Sequence, residues 1–258
     1  MIHPLINLGI PKYPLTEKER SFLDTQGYLP LGKLLSNDQL DSIQQRCQEL
    51  VDQEGDNGGS ELFNSKHIRH PKEAGAQRIA DLANKGSVFD RLYTHPKLLA
   101  AVSHVLGQEI QLSSLNYRAA KPGNGLQKLH ADWKEAVKPS DYKVCNAIWL
   151  LDDFSVANGA TRLVPKTHLN ERLPEDVMND PLQSHPDEQI LEAPAGTVVV
   201  FNSHIWHGGT TNRTSEPRRA IHSYFCRRDQ PQQTPQQELI RQETLDRISS
   251  DARWLLNV

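Results

Sequence analysis

The sequence predicts an α+β protein with a mainly β core, in which a helical layer packs on an antiparallel barrel or sandwich. Helix-period runs occupy residues 1–107, short β-prone runs occupy residues 108–228, and no repeat or clear linker divides them. A chain of 258 residues buries roughly three quarters of the surface that it exposes when unfolded, which supports one large domain. We therefore expect a single domain over residues 1–258, with residues 229–258 forming a polar, solvated connector and a last helix.

Helices are predicted at three places in the first 107 residues. Shorter helices are predicted over residues 15–27 and 95–107, because each pattern ends at a glycine, the residue that often follows a helix. A longer helix is predicted over residues 36–53, with Ser36 as a candidate N-cap. Its apolar residues recur at three- and four-residue steps on one face: Leu40, Ile43, Cys47, Leu50 and Val51.

Strands are predicted after residue 108, where short β-prone runs are separated by Pro, Gly, Asn or acidic loops. These runs are residues 109–120, 126–133, 143–152, 160–165, 196–202 and 219–228. Such closely spaced strands are typical of an antiparallel sandwich or barrel and not of alternating β-α units. Residues 168–189 are polar and contain three prolines, so we expect a long surface loop there, with a lid as a second interpretation.

Composition and charge exclude several classes of protein. The net charge of −3 does not supply the basic face that a nucleic-acid binder needs. No apolar run approaches the roughly 18 residues of a membrane helix. The three cysteines are scattered without a CxxC pair, so neither a disulfide framework nor a thiolate metal site is expected. Since the N-terminal segment also lacks the pattern of an export signal, we expect a cytoplasmic protein.

Three residues in the strand-rich half are candidate metal ligands. In an extended chain His130 and Asp132 point to the same face, which places an imidazole nitrogen beside a carboxylate oxygen. His207 follows an apolar strand, and the two glycines after it allow a close backbone approach, which favours it over the alternative, His204. Two imidazoles and a carboxylate on one face of a metal leave three open positions, which suits Fe(II) with a chelating co-substrate and O2.

Arg218 is the candidate anion-binding residue and lies eleven residues after His207. A guanidinium binds a carboxylate through two parallel hydrogen bonds, so it can fix the far end of a 2-oxo diacid whose other end chelates the metal. Strand parity places Arg218 on the face of His222 and Tyr224, the predicted polar barrel interior. The neighbouring Arg219 falls on the apolar face that is expected to pack against helices.

Four segments together resemble the phytanoyl-CoA dioxygenase family of Fe(II)/2-oxoglutarate-dependent oxygenases: HADW (130–133), NGATRLVPKTH (158–168), FNSHIWHGGTTN (201–212) and Pro-Arg (217–218). The resemblance covers most of residues 20–228. It implies a double-stranded β-helix, which is a jelly-roll or cupin-like barrel with helices packed on its outer sheet. It also implies an Fe(II) ion bound by His130, Asp132 and His207.

By the same resemblance, Arg218 holds the distal carboxylate of 2-oxoglutarate, and Gln127 and Thr161 match positions that hydrogen-bond this co-substrate. In a regular strand Gln127 lies on the face opposite His130, so its role requires a bend in the chain. Lys166 stands where the family usually has a glycine, which removes backbone freedom at that turn.

The implied activity is oxidation of a C–H bond of a small molecule, with 2-oxoglutarate and O2 consumed and succinate and CO2 released. The presence of Asp132 favours hydroxylation, because halogenating members carry a small residue there. Arg118, Trp133 and Trp206 are candidate substrate contacts. Their alternatives are a solvated strand-end arginine and aromatic core filling. The absence of a basic patch for a CoA pyrophosphate favours a small free metabolite, handled by a monomer or homodimer.

Two other functions fit the same residues. One is a non-catalytic barrel that binds 2-oxoglutarate and a metal; the other is a Zn hydrolase with a bound water, which leaves Arg218 without a role. Among the remaining histidines, His222 is either a site residue or a core residue. Four others lie in polar segments and are expected at the surface: His67, His70, His168 and His185.

Overall fold

The computed structural model describes residues 2–65 and 72–258, so the predictions for His67 and His70 lie outside the described residues. The helices are α1 Pro4–Asn7, α2 Glu17–Gln26, α3 Asn37–Glu54, α4 Ser60–Phe63, α5 Arg91–Thr94, α6 Pro96–Leu106, α7 Gln236–Leu239, α8 Gln242–Arg247 and α9 Ser250–Leu256. Short 3₁₀ turns lie at Ile10–Lys12, Gly55–Asn57, Leu82–Asn84, Ser87–Phe89, Thr167–Leu169 and Pro174–Asp176. Among the helices of the described ranges, none has the length and apolar character that crossing a bilayer requires.

The three predicted helices are confirmed, and their ends follow the predicted signals. Ser36 caps α3: its hydroxyl accepts a hydrogen bond from the Gln39 amide at 3.3 Å, while the Gln39 side chain accepts from the Ser36 amide at 3.0 Å. α2 ends at Gly27 with φ of 82°, and α6 ends at Gly107 with φ of 84°. Glycine adopts such positive φ values without the steric clash of a Cβ atom, which explains both helix ends.

Two antiparallel sheets form the double-stranded β-helix. The strands are β1 Tyr28–Lys33, β2 Ala76–Ile79, β3 Ile110–Ala120, β4 Val144–Leu150, β5 Thr161–Val164, β6 Gln189–Ile190, β7 Thr197–Asn202, β8 Trp206–Gly209 and β9 Arg218–Arg227. The major sheet has the order β1-β7-β4-β9-β3-β2, and the minor sheet has the order β6-β5-β8. The helices before and after the barrel pack on the outer face of the major sheet.

The strand predicted over residues 126–133 is wrong. This segment is a loop that contacts the minor sheet at one isolated bridge, between His130 and His207. A continuous ladder is absent because the backbone N–H groups of the loop donate to three separate segments. Their acceptors are the carbonyls of Gly209, Pro181 and Ser203.

β1 and β2 lie in the half predicted to be helical, and they form the two edges of the major sheet. The sequence pattern does not predict β1, because Pro30 and Gly32 are poor strand residues. An edge strand tolerates both, and the pairing register shifts between them.

The major sheet separates two hydrophobic cores, as β4 illustrates. Cys145 and Trp149 point towards the helices, whereas Ile148 and Leu150 point into the space between the two sheets. Because both faces of β4 are covered, its sequence is a nearly continuous apolar run.

A β-bulge between Leu112 and Ser114 exchanges the two faces of β3. Leu112 and Leu115 both pack against the helices, although alternation alone would place them on opposite faces. The bulge thereby turns Ser114, Asn116 and Arg118 into the barrel interior.

The prediction of a solvated connector after residue 228 is wrong. Gln232, Gln233, Thr234 and Gln236 are buried. The Gln232 amide donates to the carbonyls of Leu112 at 2.7 Å and Leu256 at 3.0 Å. A glutamine amide can satisfy backbone carbonyls as another peptide group would, so Gln232 packs across the barrel end with its side-chain amide paired.

The loop predicted over residues 168–189 is present and is anchored from beneath. The buried Arg162 guanidinium donates to the carbonyls of Gln183 at 2.9 Å and Pro181 at 3.2 Å. It also donates to the carbonyl of Gln127 at 2.8 Å, which ties this loop to the segment that precedes His130.

Candidate active site

The structure brings the three predicted ligands together at the end of the barrel interior. The amides of His130 and His207 each donate to the carbonyl of the other residue at 2.9 Å, so the two histidines lie opposite each other. The amide of Asp132 is held at 2.8 Å from the carbonyl of Ser203. Its Oδ1 atom lies 3.7 Å from Nε2 of His130 and 3.4 Å from Nε2 of His207.

The protonation of both histidines is fixed by backbone carbonyls. Nδ1 of His130 lies 2.8 Å from the carbonyl oxygen of Lys128, and Nδ1 of His207 lies 2.9 Å from that of Ile205. A carbonyl oxygen can only accept, so each Nδ1 carries a hydrogen, and each Nε2 faces Asp132 as the ring nitrogen that a metal could bind. This orientation by a second hydrogen bond is typical of metal-binding histidines.

The electrostatics of this group suit a cation. Burial and the neighbouring His207 lower the pKa of His130 to about 4, which keeps its imidazole neutral at pH 7. Burial opposes the ionised form of Asp132, but the facing histidines hold the pKa of its carboxyl well below its usual range. The Oδ2 atom of Asp132 is buried and accepts no hydrogen bond from any described residue. Burial lowers the pKa of His207, but the Asp132 carboxylate raises it above its usual value. A divalent metal would displace a proton on His207 and complete this donor set of two imidazoles and a carboxylate.

Arg218 points into the barrel interior, as strand parity predicts. Its side chain is 2% exposed, and its Nε and Nη2 atoms have no hydrogen-bond partner among the described residues. Its guanidinium carbon lies 4.5 Å from the centre of the Phe154 ring. Burial and the charge of Arg118 lower the pKa of Arg218 to about 9. Two buried donors without acceptors indicate a place where an anionic ligand belongs.

The neighbouring Arg219 lies on the other face, as predicted. Its guanidinium donates to the Asp152 carboxylate at 2.6 Å, and its amide donates to the same group at 2.7 Å. The charge of Arg219 is therefore already compensated.

A pocket of about 150 Å³ joins the candidate metal ligands to Arg218; we call it the cofactor pocket. Gln127 and Thr161 both line it. Because residues 126–133 form a loop, the parity that placed Gln127 on the wrong face does not apply. Its Oε1 atom accepts a hydrogen bond from the Gly209 amide at 3.0 Å, next to His207.

Arg118 is not a solvated strand-end residue, so that interpretation is wrong. It lies inside β3, is 4% exposed and lines the cofactor pocket. Its Nε donates to Glu73 at 3.0 Å, and Arg78 binds the same carboxylate at 2.9 Å. Burial raises the pKa of Glu73, but hydrogen bonds and the charges of the two arginines lower it to about 2. The bulge in β3, which the sequence pattern does not predict, turns Arg118 into the barrel interior beside Glu73 and Arg78.

The two tryptophans beside the ligands occupy different places. Trp133 is half-buried and lines a cavity of about 640 Å³ that His130 and Asp132 also line; we call it the outer cavity. Trp206 points away from His207 on β8 and packs with Leu129 and Val164. The structure therefore does not bring Trp206 to the candidate site, and aromatic core filling describes it.

The other histidines have structural surroundings. His168 is 1% exposed and its Nε2 lies 3.0 Å from the carbonyl of Asp24, so its prediction as a surface residue is wrong. Lys166 adopts the left-handed φ of 70° that a glycine would favour, and this turn carries His168 beneath α2. His185 is half-buried. His204 accepts a hydrogen bond from the Lys143 amide at 3.0 Å, which leaves His207 in the ligand position.

Several residues of the cofactor pocket are missed by sequence reasoning. They come from β2, β3, β4 and the connector: Arg78, Ser114, Asn116, Asn146 and Gln233. Strand parity could have found Asn146, a polar residue on the inner face of an apolar strand. His222 lines the same pocket, and burial together with the Arg118 charge lowers its pKa to about 3, which keeps it neutral.

Comparison with known proteins adds independent findings. Dioxygenase af480 from Aspergillus fumigatus is 29% identical over 148 residues, which are 56% of this chain and 46% of the fungal protein, so the match spans about half its length. Phytanoyl-CoA dioxygenase from Arabidopsis thaliana is 24% identical in an alignment 260 positions long, which covers 83% of this chain and 90% of the plant protein.

The fold is shared with HygX from Streptomyces hygroscopicus, solved with nickel and 2-oxoglutarate bound. The TM-score is 0.66 at 19% identity, and the match covers 85% of this chain and 90% of HygX. A further HygX structure holds hygromycin B as well. A sequence profile of the family described as Phytanoyl-CoA dioxygenase (PhyH) matches residues 23–220. Because this match covers well over half of the 258 residues, the chain belongs to the phytanoyl-CoA dioxygenase family.

Proposed function

We propose that the protein is an Fe(II)- and 2-oxoglutarate-dependent dioxygenase that hydroxylates a C–H bond of a small-molecule metabolite, and that its residues act as one domain. The observation that carries the proposal is the pairing of His130, Asp132 and His207 with an unpartnered Arg218 across one small pocket. The substrate R–H, 2-oxoglutarate and O2 would give R–OH, succinate and CO2, with one oxygen atom of O2 entering each of the two oxidised products.

Each residue has a defined task in this reaction. The two imidazoles and Asp132 would hold the metal from one side, which leaves the positions facing the pocket free for ligands. Arg218 would bind the distal carboxylate of 2-oxoglutarate, while Gln127 and Thr161 line its path to the metal. When bound, Fe(II) would supply the redox chemistry that couples decarboxylation of 2-oxoglutarate to oxidation of the substrate. The protein fixes the co-substrate and excludes water around it.

The partner and the cellular setting are proposed on weaker ground. HygX has been solved with a small molecule bound, which supports a small-molecule partner here. The three cysteines are all buried and unpaired, which supports a reducing compartment such as the cytoplasm. We propose that a monomer or homodimer is the working form.

Anaerobic titration with Fe(II) and 2-oxoglutarate tests the proposal through the weak visible charge-transfer band of the chelate. We expect the band in the wild type, its loss in Asp132→Ala and its loss or shift in Arg218→Ala. His204→Gln is the matched control, because His204 serves the backbone of Lys143, and it should keep the band. If Asp132→Ala and Arg218→Ala both behave like the parent, the site assignment is wrong.

Succinate release in the presence of candidate metabolites is the second measurement. Turnover that depends on O2 and Fe(II) supports a dioxygenase. A band without succinate release in any mixture would indicate a non-catalytic binding protein. Activity that persists with Zn(II) and without O2 would indicate a hydrolase.

A further inference from the structure

The outer cavity is a second chamber that meets the cofactor pocket at the candidate metal ligands. Both spaces are lined by His130, Asp132, Tyr224 and Gln233. Its volume of about 640 Å³ lies within the range of sites that enclose drug-sized molecules. Arg218 lines the cofactor pocket and not the outer cavity, so a molecule in the outer cavity contacts His130 and Asp132 without contacting Arg218.

One wall of the outer cavity is the glutamine-rich connector, and hydrogen bonds fix it in place. The Thr234 amide donates to the carbonyl of Ser113 at 2.9 Å. The Gln232 side chain bonds the carbonyl of Leu112, and the Gln236 side chain donates to Asp81 at 2.6 Å. The wall is preformed, so a ligand need not order it on binding.

Gln233 sits in this wall at the junction of the two spaces. The backbone N–H of Gln233 donates to the Ser113 hydroxyl at 2.8 Å. Its side-chain Oε1 accepts a hydrogen bond from the Ser114 hydroxyl at 2.5 Å. Its side-chain Nε2 group donates no hydrogen bond to any of the described residues. Gln233 is 7% exposed, and the bond to Ser114 both orients its side-chain amide and occupies the acceptor oxygen. The N–H groups of this amide are therefore available to donate to an oxygen atom of a ligand.

Most of the remaining lining is apolar or neutral. Trp133, Val144, Leu173 and Pro231 contribute apolar surface. Apart from the shared Asp132, the charged lining residues are Lys134 and Glu175, one of each sign, and both are exposed. Buried cations, which a phosphate or carboxylate of a substrate would require, are not among the described residues that line this cavity.

We propose that the outer cavity binds an uncharged, largely apolar substrate, and that the Gln233 amide donates a hydrogen bond to a carbonyl or ether oxygen of it. This proposal rests on the proposed function for the identity of the neighbouring site. Gln233 is the residue that selects the substrate and sets which of its C–H bonds faces His130 and Asp132. An acyl-CoA, with its several negative charges, is excluded by the same lining.

Direct binding of probes tests the proposal without any need for metal. Cyclohexanone, camphor and progesterone serve as uncharged ketones of increasing size, with palmitoyl-CoA as the charged probe, and equilibrium dialysis gives Kd. We expect at least one ketone to bind the wild type more tightly than palmitoyl-CoA does. Gln233→Met should weaken that ketone about tenfold, as expected for loss of one hydrogen bond.

Two further variants keep the result interpretable. Gln237→Met changes an exposed glutamine of the same connector and should leave Kd unchanged. Ser114→Ala removes only the hydroxyl that orients the Gln233 amide and should weaken ketone binding in the same direction. Tighter binding of palmitoyl-CoA, or equal ketone binding by the wild type and both Gln233→Met and Ser114→Ala, would overturn the proposal.

The same samples, titrated with Fe(II) and 2-oxoglutarate, separate this proposal from the proposed function. Gln237→Met, which lies outside both spaces, should keep the charge-transfer band and the ketone affinity. Ketone binding that depends on Gln233 in a wild-type protein without the band would support the cavity assignment and refute the oxygenase. A band with no ketone binding would do the reverse.

Discussion

Replacing Arg218 by Met should stabilise the protein without ligands and at the same time abolish its response to 2-oxoglutarate. The two buried donors of Arg218 that lack acceptors each destabilise the folded state by about 1–3 kcal/mol. Removing these donors therefore stabilises the folded state, and loss of the contact with the Phe154 ring offsets about 1 kcal/mol of that gain. Methionine has a similar reach and no polar atom to satisfy, so we expect a net gain of about 2 kcal/mol.

The expected change can be measured by thermal unfolding. For a chain of 258 residues, 2 kcal/mol corresponds to an increase in Tm of about 4–8 °C. With 2-oxoglutarate and Mn(II), the wild type should be stabilised further and Arg218→Met should not. Loss of a buried charge partner removes about 3–5 kcal/mol of ligand binding, or roughly a 10²–10³-fold rise in Kd.

Two controls isolate the role of the guanidinium. Arg219→Met removes a neighbouring arginine that is paired with Asp152 on the opposite face, so it should lower Tm slightly and leave 2-oxoglutarate binding unchanged. 2-Oxobutyrate lacks the distal carboxylate, so the wild type and Arg218→Met should bind it equally weakly. A lower Tm for unliganded Arg218→Met, together with an undiminished response to 2-oxoglutarate, would refute the reasoning.

Three other perturbations have expected outcomes. Gly209→Ala should lower the free energy of unfolding, measured in urea, by about 2–3 kcal/mol, and by more than Gly208→Ala does. An added Cβ would lie 2.4 Å from a backbone oxygen at Gly209 and 3.0 Å from one at Gly208. Equal losses in the two variants would contradict this. Arg162→Met should destabilise the folded protein by about 3 kcal/mol or more, because it leaves buried carbonyls unpaired. It should also make residues 181–188 sensitive to a protease. Unchanged proteolysis would show that Arg162 does not anchor this loop. Burial raises the pKa of Asp81 to about 6, so its carboxyl stabilises the fold below about pH 4 and this contribution is lost as pH rises through 6. The stability of Asp81→Asn relative to the wild type should therefore rise by about 3 kcal/mol across that interval, and a flat difference would refute the assigned pKa.

The sequence predicts those features that local chemistry determines. Ser36 and the glycines at 27 and 107 mark helix ends, because caps act through the nearest few residues. The assignment of Arg218 to the interior holds because alternation along one uninterrupted strand is a local property.

Features that depend on distant segments are not predictable in this way. For Arg118 the sequence leaves a substrate contact and a solvated strand-end arginine open, and the bulge and the approach of Glu73 make it a buried residue of the pocket. The polar composition of residues 229–238 indicates solvent, but the buried Gln232 and Gln236 side chains donate to a carbonyl and a carboxylate from other parts of the chain. A polar segment is therefore wrongly predicted to be exposed when its side chains find hydrogen-bond partners in distant parts of the chain.

The charges of the cofactor pocket explain why a diacid fits it better than a monoacid. Glu73 lies between Arg78 and Arg118 and compensates only part of their charge, and Arg218 has no acid of its own. A divalent metal beside Asp132 would add a second site with one uncompensated positive charge. Arg218 and the three metal ligands line the same pocket, so a molecule with two carboxylates can neutralise both positive sites. A bound dicarboxylate lowers the repulsion between the metal ion and the Arg218 charge, and a bound metal adds positive charge that attracts the dicarboxylate. Metal and co-substrate should therefore strengthen each other's binding.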